Sequence, residues 1–146
     1  MTAELSATLA PFLDALLGRK PLNVVVLDVR ELTSIADAFI ICSGRSSRQV
    51  SAIAEHVERE LRDRKIKPMS VEGGKEGQWV LMDYAQVLIH IFQESAREFY
   101  DLEGLWADAR RVAVERPAAR RRRAPAAAAR PRAPGREPEA LDGRDA

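Results

Sequence analysis

The apolar positions of this chain change their spacing repeatedly over the first 106 residues, and each change marks an element. Leu5, Leu9, Phe12, Leu13, Leu16 and Leu17 recur at helical spacing and stop at Gly18. Pro11 lies inside that run. An interior proline removes a helical hydrogen bond, so either the helix is kinked or its regular part begins near Ala10. Asn23–Val29 is almost entirely β-branched or Leu and predicts a buried strand ending at Asp28. A polar connection, Glu31–Asp37, leads to a second apolar strand, Ala38–Ser43, and a turn at Gly44-Arg45-Ser46.

Ser46 or Ser47 can cap a helix running to about Lys65. Val50, Ile53, Ala54, Val57 and Leu61 make its apolar stripe, while Glu55, Glu58, Arg59 and Arg62 face water. Met69–Glu72 predicts a short strand and residues 73–77 a Gly-rich loop. Two strands follow at Gln78–Asp83 and Gln86–Phe92, then a helical segment opening at Ser95 and closing near Trp106. The order α-β-β-α-β-β-β-α predicts an α/β protein of the α+β-like kind, a mixed sheet of about five strands with helices packed on it. Too few strands alternate with helices for a doubly wound parallel sheet.

Composition shifts near Val112. Five of the eight prolines and long Ala/Arg runs lie beyond it, without an aromatic residue. Such a segment cannot bury enough surface to offset its ordering entropy. The expected organisation is therefore a folded domain over residues 1–111, its apolar pattern complete by Trp106, and a disordered basic tail over 112–146. The net charge of +1 hides an asymmetry. Residues 1–106 carry 12 Lys/Arg against 16 Asp/Glu, and residues 107–146 carry 11 Arg against 6 Asp/Glu. A mildly acidic domain thus precedes a basic arm. Cys42, the single cysteine, sits in an apolar strand and reads as a buried, inert thiol compatible with a reducing compartment. No apolar run approaches the roughly 20 residues of a membrane span. With Glu4 and no Lys or Arg before Arg19, the start lacks a secretory signal's charge, so cytoplasm is the expected location.

Gln78–Trp106 is the most specific stretch. A Trp-led strand ends in Asp (Trp79–Asp83), a second carries His90-Ile91-Phe92, and Arg97-Glu98-Phe99-Tyr100-Asp101-Leu102-Glu103-Gly104-Leu105-Trp106 follows. With Ile35–Gln49 upstream, this order resembles the ribosomal silencing factor family (RsfS, or Iojap) over Val24–Trp106. The resemblance implies a fold related to that of nucleotidyltransferases. It further implies a non-catalytic factor that binds the large ribosomal subunit through its protein L-fourteen. There it would sterically block joining of the small subunit, repressing translation when nutrients are short, without a cofactor. A homodimer, formed through an exposed strand edge, is also in keeping with the resemblance.

An enzyme on the related fold, binding or transferring a nucleotide, is the alternative. It requires a Gly-Ser turn, which Gly44-Arg45-Ser46 resembles at a helix N-terminus suited to an anion. It also requires two carboxylates two apart on a strand to hold a divalent metal. Asp28, Asp37 and Asp83 each stand alone, and Asp101-Leu102-Glu103 lies in the helical segment, so no catalytic or metal residue is assigned.

Trp79, Asp83 and Glu72 are the candidate partner-binding residues. Trp79 opens its strand after a Gly-rich loop, where an exposed indole can anchor a protein contact; the alternative is an ordinary core position. Acidic neighbours suit a basic ribosomal protein. Asp28, Asp37 and Arg48 either form an internal network at strand ends or contribute to the contact; the internal reading has the firmer ground, because strand ends need polar partners. His90 reads as a hydrogen-bonded structural histidine, which a hairpin of the right register would pair with Asp83. The aromatic and apolar residues of Phe99–Trp106 are expected to dock their helix on the sheet. Arg120–Arg123 and Arg130 either contact ribosomal RNA nearby or form a solvated tail, the latter favoured by the lack of interleaved aromatics.

Overall fold

In the computed structural model, which describes residues 3–73 and 77–114, the most buried strand is β2 (Ala38–Gly44), every residue of which is buried. It pairs antiparallel with β1 (Leu22–Asp28) and parallel with β5 (Val87–Gln93). A strand shielded on both faces must be apolar on both, and Ala38-Phe39-Ile40-Ile41-Cys42 meets that demand. Outside it lie β4 (Trp79–Asp83), β3 (Ser70–Glu72) and β6 (Arg110–Val112), giving the order β3-β4-β5-β2-β1-β6. Only β2 and β5 run parallel.

Helices α1 (Ala3–Leu17) and α2 (Ser47–Asp63) cover one face. Their Leu5, Leu9, Phe12, Leu16, Val50, Ile53, Val57 and Leu61 close over Val26, Ile40, Cys42, Val80, Met82, Ile89 and Ile91. The buried residues of α2 are the five the sequence stripe predicts. Pro11 lies within one continuous helix; the carbonyl it leaves without a donor belongs to Ala7, an exposed residue that water can serve. Phe12 meets Tyr84 edge-on at 5.2 Å, fastening α1 to the end of β4.

The opposite face carries two short helices, α3 (Glu94–Tyr100) and α4 (Leu102–Leu105). The single helix expected here breaks at Asp101, whose backbone is left-handed (φ 47°). Aspartate tolerates that conformation because its side chain bonds locally, here accepting from the Gly104 amide at 3.2 Å. Beneath lie Leu27, Val29, Phe39, Ile41 and Phe92, with Trp106 edge-on to Phe39 at 4.8 Å.

Strand β6 is the element that apolar patterning misses. Arg110 and Arg111 are exposed, but Val112 is buried opposite Val26 and joins the first core. The apolar pattern is therefore not complete at Trp106, and the folded unit runs through Val114. The rest of the expected tail, including Arg120–Arg123 and Arg130, lies outside the described residues.

Candidate functional site

The sheet register brings the three candidate contact residues onto one face. Glu72, Leu81 and His90 lie side by side across β3, β4 and β5, and Ser70, Asp83 and Leu88 form the adjacent row. Trp79 is opposite Phe92. This is the face only partly covered by α3 and α4. Glu72 is exposed, and Trp79, Leu81, Asp83 and Leu88 are half-buried.

The loop entering β4 is shaped by glycine. Gly73 (φ 85°) and Gly77 (φ 70°) adopt left-handed backbone, and a Cβ on Gly73 would collide with the Trp79 carbonyl. A Cβ on Gly77 would collide with the backbone of Ser47, so this loop also fits closely against the start of α2.

Trp79 stands between the core and solvent. Its indole stacks on Phe92 at 4.9 Å and leans on Tyr100 at 4.9 Å, yet the residue is only half-buried. Its Nε1–H donates to Nδ1 of His90 at 3.2 Å. Composition and period do not reveal that bond, but a hairpin register does. With 79 opposite 92 and 81 opposite 90, Trp79 and His90 become diagonal neighbours, within reach of an aromatic side chain. Asp83 is not the partner of His90, because the register sets Asp83 against Leu88. Its Oδ1 instead accepts from the Ala85 amide at 2.8 Å and holds the β4–β5 turn, where Ala85 sits at φ 70°. Burial pushes the His90 pKa down to about 4, so the ring is neutral and can accept through Nδ1.

The Asp28, Asp37 and Arg48 trio does not converge. Arg30 forks onto both oxygens of Asp28, at 2.9 and 2.8 Å, and holds that carboxyl below its ordinary range. Asp37 acts through its backbone: its amide donates to Gln86 and its carbonyl accepts from Val29, tying three strand ends together. Arg48 is exposed on the first turn of α2, beyond the other end of β2, about 20 Å along a seven-residue strand.

Arg97 is a residue the sequence reasoning quotes within a motif without giving it a task. Its Nη1 donates to the Asn23 carbonyl and to Ser43 Oγ, both at 2.8 Å, and its Nε donates to Glu103 at 3.0 Å. Asn23 (φ 51°) lies in the β1 irregularity, where the register with β2 shifts. One guanidinium thus ties α3 and α4 to the adjoining ends of β1 and β2, setting Tyr100 against Trp79. Phe99 and Leu105 do not dock as expected; they are 81% and 76% exposed.

The Gly44-Arg45-Ser46 turn is built as a helix cap. At the start of α2, Ser46 Oγ accepts the Gln49 amide, and Gln49 Oε1 accepts the Arg45 amide. This reciprocal cap occupies donors that an anion would need. Among the described residues, no three His, Cys, Asp or Glu are grouped to hold a metal. The Cys42 thiol is fully buried and pushed up to about 12, so it stays protonated. No helix of the described residues is long and apolar enough to cross a membrane.

The chain matches known proteins over most of this architecture. A family model described as ribosomal silencing factor during starvation covers residues 2–138. A ribosomal silencing factor of Haemophilus influenzae is 42% identical over 95 residues, 65% of this chain and 93% of the relative. One from Halalkalibacterium halodurans is 38% identical over 97 residues, 66% of this chain and 83% of its own length. A crystal structure of a Bacillus halodurans protein superposes with a TM-score of 0.67 at 31% identity, covering 75% of this chain and 99% of the other. The fold, the Trp-led hairpin and these likenesses together make the chain a member of the ribosomal silencing factor (RsfS/Iojap) family.

Proposed function

We propose that this protein binds the large ribosomal subunit through its protein L-fourteen and blocks joining of the small subunit by occupying the joining face. Translation is thereby repressed when nutrients are short. The half-covered sheet face carries the reading: an indole and two Leu side chains flanked by Glu72 and Asp83. Apolar contact with an acidic rim suits a basic, RNA-associated protein better than RNA itself, whose phosphates reward Lys and Arg. A steric mechanism requires no reacting atoms, and the cytoplasm is where this protein acts.

Sedimentation provides the test. The purified chain should travel with isolated large subunits and not small ones, and should prevent their joining in a reconstituted mixture. Undiminished joining at saturating protein refutes the reading. Heat released on titration with a nucleoside triphosphate and magnesium would favour the enzyme alternative instead.

A further inference from the structure

His90 is an uneconomical core residue. It is only 5% exposed and sits among rings, with Phe39 edge-on at 5.3 Å, Trp79 at 6.0 Å and Phe92 stacked at 6.3 Å. Because Nδ1 accepts the indole proton, the neutral imidazole must carry its own hydrogen on Nε2. That Nε2 is buried and has no hydrogen-bond partner among the described residues. A buried donor without an acceptor works against folding, and an apolar side chain would fill the same space without that penalty. What the imidazole supplies, and a leucine or phenylalanine cannot, is an acceptor for Trp79.

We infer that His90 is the positioning residue of the contact face, fixing the Trp79 ring from within and consuming its only polar atom. The inference rests on the partner reading given above. An indole has one donor and no acceptor. With that donor committed inward, and with Phe92 and Tyr100 against the ring, Trp79 presents carbon alone to whatever docks. The partner's surface opposite Trp79 is therefore apolar and needs no acceptor there; a carbonyl or carboxylate at that spot would go unsatisfied. Specificity then lies in the hydrogen-bonding groups around the ring, not in the ring.

The test compares the full chain carrying His90→Asn or His90→Leu. Asparagine places Oδ1 where imidazole has Nδ1, whereas leucine removes the acceptor along with the orphaned donor. The indole proton of Trp79, distinguished from Trp106 in a Trp106→Phe background, reports the bond by NMR. Binding to isolated large subunits reports the face. Asn should retain the hydrogen-bonded indole signal and most of the affinity. Leu should lose the signal and weaken binding about tenfold, with melting temperature unchanged or raised. A purely structural histidine predicts the reverse coupling, affinity changing only where stability does.

Trp79→Phe, alone and combined with His90→Leu, closes the argument. If the indole N–H acts only through His90, the double variant binds no worse than the weaker single one. Additive losses would show that the partner takes that proton and would overturn the inference. An indole signal unmoved by His90→Leu, with normal binding, also overturns it and leaves the partner reading standing. A wild-type chain that fails to bind large subunits sinks the partner reading and the contact role of His90 with it; the NMR signal still shows separately whether His90 holds the ring.

Discussion

Acid should weaken this fold through His90 before it reaches Asp28. Burial pushes that imidazole down from 6.5 to about 4, so the native chain stays neutral at this position while the unfolded chain takes up a proton. The sign follows from the depressed pKa. The contribution of His90 is fully present above pH 6.5 and is lost progressively as pH falls towards about 4. At about 1.4 kcal/mol per pH unit, that window removes roughly 3 kcal/mol, a large share of a small domain's stability. Asp28, held below 3.8 by its Arg30 hydrogen bonds, begins to lose its contribution only under that value, so the two losses separate. Denaturant unfolding of wild type and His90→Leu between pH 7 and pH 4 measures the difference directly. Leucine cannot titrate, so the wild-type curve should fall about 3 kcal/mol further than the variant's. Parallel curves would refute the reasoning and would mean that water or a rearrangement solvates the ring.

Other expectations follow from single contacts. Truncation after Arg111 removes Val112 and the β6 pairing to Val26; it should cost roughly 2 kcal/mol and lower the melting temperature by about 10 °C. Truncation after Val114 should leave melting unchanged, and equal melting of the two truncations would show β6 to be dispensable. Arg97→Met takes the donor from Ser43 and leaves Glu103 to its longer pair with Arg111 at 3.6 Å; it should cost about 2 kcal/mol, with a tryptophan emission shift as Tyr100 leaves Trp79. Trp79→Ala should lose about 2 kcal/mol of large-subunit affinity. Because its ring is half-buried, it should also lose about 2 kcal/mol of stability, below the range for a fully buried aromatic. Asp83→Asn keeps an acceptor for the Ala85 amide, so it should hardly change melting while slowing association with the subunit and flattening its salt dependence.

What the sequence made legible was whatever a period can express. The stripe Val50–Leu61 is read correctly because one buried helix face obeys one spacing. The alternation in β5, with Val87, Ile89 and Ile91 inward to α2 and Leu88, His90 and Phe92 to the other side, is equally plain. Strand β6 escapes because nothing in Arg110-Arg111-Val112 asks for a strand; its conformation comes from unpaired backbone groups on the open edge of β1. The break at Asp101 escapes because a left-handed aspartate depends on a local bond to Gly104, three residues on. The Trp79–His90 bond and the failure of Asp83 to reach His90 are both decisions of register. Before the strands are aligned, neither could be derived from the residues alone.

The half-covered sheet face is a consequence of unequal helix lengths. Six strands at about 4.8 Å spacing make a sheet roughly 24 Å across. On the first face, α1 and α2, with 15 and 17 residues, are about 22 and 26 Å long and together close over core positions of β1, β2, β4 and β5. On the second, α3 and α4 contribute only 7 and 4 residues, about 10 and 6 Å, and the turn at Asp101 keeps them from adding end to end. Arg97 ties that short pair to the ends of β1 and β2, and Tyr100 reaches only the Trp79 end of β4, so the uncovered side is the rest of β4 and β3. An uncovered sheet face must either turn polar or meet a partner. Here Leu81 and Leu88 keep it apolar in the middle, Trp79 closes one border with its proton turned inward, and Glu72 and Asp83 make the rest of the rim acidic. That combination disfavours a free surface and favours a docked one.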